Sequence, residues 1–142
     1  MMQHTDAVPT VLVVDDEAEI RYLERRILEA DGYRVTEAGD GVEALSLLAQ
    51  DSKIDLLMVD LAMPKLGGDA LVCQIRCAHP DLKVLYVTGH IDSLMDTRAL
   101  WEDEAFLEKP FSPRGLQEAV SFLLYGTIRR KRASAGMTAV IP

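Results

Sequence analysis

Cysteine is nearly absent from this chain, with only Cys73 and Cys77, four residues apart. Two cysteines cannot form the cross-linked framework of a small secreted domain. Two ligands do not make a zinc site either, so both are expected to pack on a helix. Long apolar runs are missing as well: no stretch of eighteen apolar residues occurs, and no membrane-spanning helix is expected. Residues 1–10 lack a basic start and an apolar segment, so no signal peptide is expected and the cytoplasm is the expected compartment. Bases are in the minority, 15 Lys and Arg against 23 Asp and Glu, for a formal charge of -8. Binding along a phosphate backbone needs clustered bases, so direct contact with nucleic acid is not expected. The deficit is uneven. Residues 127–142 hold Arg129, Arg130, Lys131 and Arg132 and no acid, which leaves 11 bases against 23 acids in residues 1–126, a balance of -12.

What the chain does have is apolar content, 49% of 142 residues, enough for the core of one ordinary domain. It comes as alternating short runs and amphipathic stretches. Val11-Leu12-Val13-Val14, Leu56-Leu57-Met58-Val59 and Val84-Leu85-Tyr86-Val87 are continuous runs, the pattern of strands buried on both faces of a parallel sheet. Shorter strands are expected over residues 33–37 and 105–108. Between them lie helical periodicities: Ile20, Leu23, Ile27 and Leu28; Val42, Leu45 and Leu48; residues 69–77; a weaker one over 91–101; and Leu116, Ala119, Val120, Leu123 and Leu124. Strand and helix alternate five times, which predicts an α/β fold with a doubly wound parallel sheet and helices on both faces. The expected boundaries are a 1–9 extension, a 10–126 domain and a basic flexible tail over 127–142.

Open parallel sheets bind ligands beyond the carboxyl ends of their strands. There the sequence places Asp15 and Asp16, Asp60, Thr88 and, just past the fifth strand, Lys109. Converging carboxylates repel unless a cation joins them, and Mg²⁺ or Mn²⁺ favours such oxygen ligands. Asp16 and Asp60 are the candidate direct ligands, Asp15 a ligand through water, and the Ala62 backbone carbonyl a further oxygen. Asp60, on the central strand, is the best candidate for a nucleophile, since carboxylates form aspartyl-phosphates. Lys109 and Thr88 could neutralise and hydrogen-bond the phosphoryl group. Simpler roles stand beside these: Asp15 and Asp16 could cap the first helix, Lys109 could be a surface lysine, and Thr88 an ordinary strand residue.

Four segments in register carry a resemblance: Val11-Leu12-Val13-Val14-Asp15-Asp16-Glu17, Val59-Asp60-Leu61-Ala62-Met63-Pro64, Val87-Thr88-Gly89, and Leu107-Glu108-Lys109-Pro110-Phe111. Over residues 10–125 the sequence resembles the receiver domain of two-component response regulators, in its chemotaxis-regulator-like single-domain form. The resemblance implies a flavodoxin-like (βα)5 fold with strand order 2-1-3-4-5. It implies Mg²⁺-dependent phosphotransfer to Asp60 from a phosphohistidine on a bacterial sensor histidine kinase or histidine phosphotransfer protein. It also implies a Lys109–Pro110 peptide in the cis form. Thr88 would move toward the phosphoryl group, and Phe106 would turn inward and reshape the surface of the fourth helix, fifth strand and fifth helix. That surface would serve a downstream effector protein or a homodimer. Such a protein is not an enzyme beyond its own autophosphorylation and autodephosphorylation, and no output domain is expected here. Phe106 lacks the hydroxyl of the tyrosine common at its position. Ala62 cannot hydrogen-bond an attacking water through its side chain, and His90 follows Thr88 by two residues. Ala62 and His90 are therefore expected to set the phosphoryl lifetime. Dephosphorylation of His90→Ala and Ala62→Asn beside the parent checks this, and unchanged rates in both would end the idea.

Three other identities compete. The chain could be the isolated C-terminal receiver of a hybrid histidine kinase. A Mg²⁺-dependent phosphohydrolase with an aspartate nucleophile would carry Asp-x-Asp after the first strand, where Asp15-Asp16-Glu17 stands. A flavin- or nucleotide-binding protein would need a Gly- or Ser/Thr-rich phosphate cradle there.

Overall fold

The alternation of apolar runs and amphipathic stretches becomes a wound sheet in the computed structural model, which describes residues 8–50, 53–63, 67–89, 104–126 and 139–140. In chain order the elements are β1 (Thr10–Val14), α1 (Ala18–Ala30), β2 (Arg34–Ala38), α2 (Gly41–Gln50), β3 (Leu56–Asp60), α3 (Gly68–Ala78), β4 (Lys83–Thr88), β5 (Glu104–Glu108), α4 (Pro113–Tyr125) and β6 (Ala139–Val140). β1 to β5 are parallel and lie in the order 2-1-3-4-5, the expected flavodoxin-like winding. The helix expected over 91–101 lies outside the described residues.

The continuous runs are strands because both their faces are covered. Leu12, Val14, Leu57, Val59, Val84, Tyr86 and Phe106 point to one side, where α2 and α3 add Ala44, Leu48, Leu71, Val72 and Ile75. Val11, Val13, Leu56, Met58, Leu85, Val87 and Leu107 point to the other, under Leu28 of α1 and Leu116, Ala119, Val120 and Leu123 of α4. Each large aliphatic side chain buried in this way contributes roughly 1.5–3 kcal/mol.

Local signals set the helix ends. Ser112 caps α4, its hydroxyl accepting from the Gly115 N–H at 2.9 Å, and Pro113 occupies the first turn, where no N–H is needed. Gly126 ends the helix in the left-handed region at φ 73°, which favours glycine.

Three expectations are corrected. Leu23 is 56% exposed, whereas Glu24, one residue on, is 2% exposed. The inward line of α1 runs through Glu24 and Leu28, which turns Leu23 about 100° away from the sheet. Val42 is exposed, because α2 turns Ala44 and Leu48 inward. Cys73 and Cys77 are exposed free thiols, because α3 packs through Leu71, Val72 and Ile75. Within the 127–142 segment, Ala139 and Val140 pair antiparallel with Leu107 and Phe106. An unpaired edge backbone favours such a ladder wherever residues can reach it.

Candidate functional site

The carboxyl ends of β1, β3 and β4 and the turn after β5 meet at one edge of the sheet. Asp15 follows β1, is 1% exposed, and accepts from the Glu17 N–H through Oδ1 at 2.8 Å. Its main chain is held on both sides: its N–H donates to the Ala38 carbonyl at 3.2 Å, and its carbonyl accepts from the Arg21 guanidinium at 2.6 Å. Asp16 beside it is exposed. Asp60 ends β3 at 5% exposure; the Ala62 N–H donates to its Oδ1 at 2.9 Å, and Lys109 Nζ donates to its Oδ2 at 3.1 Å. Thr88 ends β4, buried, and its carbonyl accepts from the Lys109 N–H at 2.8 Å. The Lys109–Pro110 peptide is cis, as expected.

The neighbouring backbone is built close. A Cβ added to Gly68, the first residue of α3, would lie 2.7 Å from the Asp60 carbonyl and 3.1 Å from Val59 Cγ2. Only glycine lets α3 start this near the end of β3.

The electrostatics follow from burial and crowding. Desolvation raises Asp15, the Asp60 and Asp16 charges push the same way, and the Glu17 N–H and Lys109 oppose them. Glu24, on the inner face of α1, is pushed up to about 8, first by burial and then by the charge of Asp15. Burial pulls Lys109 down, but its hydrogen bond to Asp60 and the charges of Asp60, Asp15 and Glu24 outweigh that, leaving it raised.

This edge also fits a divalent cation. Asp15, Asp16 and Asp60 each offer an oxygen, and the three lie within 4.8 Å of one another. Asp15 Oδ2 is buried without a hydrogen-bond partner, a cost that a hard cation would remove. The capping role considered for Asp15 is not filled: no side chain caps α1, and Oδ1 instead accepts from the N–H of Glu17, the residue before the helix, which leaves the second oxygen over.

Sequence reasoning named Asp15, Asp16, Asp60, Ala62, Thr88 and Lys109, and the fold brings all six to this edge. Phe106 is placed elsewhere. It is 1% exposed, in register with Tyr86, inside the core between the sheet and α2–α3. His90 and Pro64 lie outside the described residues. Glu24 was missed, although its position was a signal: it is an acid four residues from Ile20 and four from Leu28, on an apolar stripe. Arg21 was also missed. It clamps the Asp15 carbonyl while its Nε donates to Glu37 Oε1 at 2.8 Å.

A five-stranded parallel sheet with three acids, a hydroxyl and a lysine at the carboxyl edge defines a class, and the comparisons place the chain in it. The family model described as "Response regulator receiver domain" matches residues 11–121. The chain is 37% identical over 118 residues to the sensor kinase CckA of Brucella abortus, covering 81% of this chain and 12% of that protein. It is 39% identical over 119 residues to the response regulator MprA of Mycobacterium avium, covering 82% of this chain and 51% of that one. The solved structure of the response regulator TrrA from Thermotoga maritima, in complex with Mg(2+)-BeF, superposes with a TM-score of 0.75 at 32% identity, covering 82% of this chain and all of that one. The chain belongs to the response regulator receiver family, and residues 11–121 form a receiver domain of two-component signalling. It spans about half the length of MprA and about an eighth of CckA.

Proposed function

We propose that Asp60 is the phosphoacceptor, taking a phosphoryl group from a phosphohistidine of a sensor kinase or histidine phosphotransfer protein. A carboxylate oxygen of Asp60 attacks phosphorus, the phosphorus–nitrogen bond breaks, and the imidazole leaves with its electron pair. The observation that carries this reading is the placement of Asp60: a buried carboxylate with Lys109 Nζ 3.1 Å from one oxygen and Asp15 and Asp16 within carboxylate reach. Asp15, Asp16, Asp60 and the Ala62 carbonyl would hold Mg²⁺ or Mn²⁺, which when bound supplies positive charge to the transferring phosphoryl oxygens. Lys109, bonded to Asp60 Oδ2, would neutralise part of the same charge, and Thr88 Oγ1 would donate to a phosphoryl oxygen. Buried Phe106, in register with Tyr86 of β4, carries the rearrangement to the surface of β5 and α4. We read that surface as the one presented to an effector or a second copy. The protein is a phosphorylation-controlled signalling module of the cytoplasm, not a turnover enzyme, and it serves its partners alone or as the receiver of a hybrid kinase. The CckA match supports the hybrid-kinase form, and the chemistry is the same in both. No helix among the described residues is long and apolar enough to cross a membrane.

Intact-mass measurement after incubation with acetyl phosphate and Mg²⁺ tests this. One phosphoryl group is expected per chain, and none once a chelator is present. Repeated hydrolysis of an unrelated phosphoester with no trapped adduct would favour the phosphohydrolase instead.

A further inference from the structure

Glu24, like Glu118 of α4, is a buried acid that the packing of the fold does not require. It lies on the core face of α1 with 2% exposure, where an aliphatic side chain would complete the line from Ile20 to Leu28. Its Oε2 is buried with no hydrogen-bond partner. A buried acid in this condition costs stability. Breaks in a local pattern of this kind mark functional positions.

Its surroundings say which function. The charges that act on it most are those of Asp15, Lys109, Asp60 and Arg21. Two of the four are cations. Arg21 is committed, with Nε on Glu37 and a terminal nitrogen on the Asp15 carbonyl. Lys109 has an ammonium with three donors; one is on Asp60 Oδ2. Glu24 and Lys109 line the same groove of about 620 Å³, between α1 and the turn after β5, with Ile20, Leu23 and Phe111. The rest of the wall is apolar apart from Glu17, which is exposed, so Glu24 is the buried acid of this groove. A carboxyl oxygen accepts a hydrogen bond in either charge state.

We propose that Glu24 is a positioning residue for Lys109, its carboxyl taking a second N–H of the ammonium from the α1 side while the first turns from Asp60 to the phosphoryl group. Lys109 is then held at two points as the Asp60 carboxylate loses its charge to the new bond. This inference rests on the reading of Asp60 as the acceptor.

The experiment compares parent, Asp60→Asn, Glu24→Leu and Glu24→Gln for phosphoryl uptake from acetyl phosphate with saturating Mg²⁺, and repeats both Glu24 variants on Lys109→Ala. Glu24→Leu is expected to melt at a higher temperature than the parent, because it completes the apolar stripe, and yet to take up phosphate about tenfold more slowly. Glu24→Gln keeps an accepting oxygen and is expected to fall between the two. On Lys109→Ala neither Glu24 variant should slow uptake further, since a residue acting through Lys109 has nothing left to act on. Uptake by both Glu24 variants within twofold of the parent would overturn the proposal. The same slowing on Lys109→Ala as on the parent would also overturn it. A parent that gains no phosphoryl group, or an Asp60→Asn that does, would fail the Asp60 reading itself.

Discussion

Asp60→Asn is expected to gain no phosphoryl group under conditions in which the parent gains one per chain, and to stay folded while failing. The substitution exchanges one carboxylate oxygen for an amide nitrogen. The remaining oxygen still accepts from the Ala62 N–H, a contact now 2.9 Å long, so the turn after β3 keeps its anchor. What is lost is the nucleophile and one of the three acids within 4.8 Å of one another. An amide oxygen does not form the acyl phosphate, so uptake should fall by at least about a hundredfold. Stability should move the other way without divalent ions, because a buried charge next to Asp15 has been removed. A melting temperature equal to or above the parent's, together with an unchanged intact mass, is the expected pair of results. Full phosphorylation of the variant would transfer the acceptor role to another residue.

The second large effect lies at the opposite end of the sheet and concerns only stability. Arg76 of α3 and Glu104 at the start of β5 form an ion pair at 3.1 Å, with side chains 7% and 1% exposed. Arg76 also donates to the carbonyls of Pro80 and Leu82, so one guanidinium joins α3, the turn before β4 and β5. Removing one member of a buried pair leaves the other charge desolvated and costs about 3–5 kcal/mol. Glu104→Leu is therefore expected to lower the melting temperature by roughly 10 °C or more. Arg76→Met with Glu104→Leu should recover much of the loss, since the pair itself adds little beyond an apolar replacement. The exposed Arg25–Glu29 pair is the control: Glu29→Ala should move stability by less than about 1 kcal/mol. Chemical denaturation of the three variants beside the parent decides the matter. A Glu104→Leu no less stable than the parent would show that the pair is dispensable.

How far the sequence spoke for itself depended on how local each signal was. Continuous apolar runs made β1, β3 and β4 legible, because burial on two faces leaves no room for alternation. The acids and the threonine at their ends could be read as one site, because parallel strands deliver those ends to one edge. Rotation about a helix axis was less legible. Leu23 and Glu24 are neighbours in the chain, and their hydrophobicities argue for the opposite of what is found. The orientation of α1 is set by where Leu28 and Ile27 meet the sheet, a tertiary choice that composition does not record. Val42 was misread for the same reason. Cys73 and Cys77 repeat the case of Leu23 and Val42, apolar in type but on the outward side of α3. The approach of Gly68 to the Asp60 carbonyl was also hidden, since a glycine in sequence does not say what stands beside it.

One consequence of β6 concerns how copies of the chain can meet. In a parallel sheet of five strands, β5 would be an outer strand with bare N–H and C=O groups, the kind that recruits strands from other molecules. Here Leu107 and Phe106 are already laddered to Ala139 and Val140. Another molecule can pair with β5 at those two positions only by first displacing residues 139–140. With the ladder intact, copies meet this side through side chains or the two-residue outer edge of β6; pairing with β5 itself takes the exchange of one strand for another.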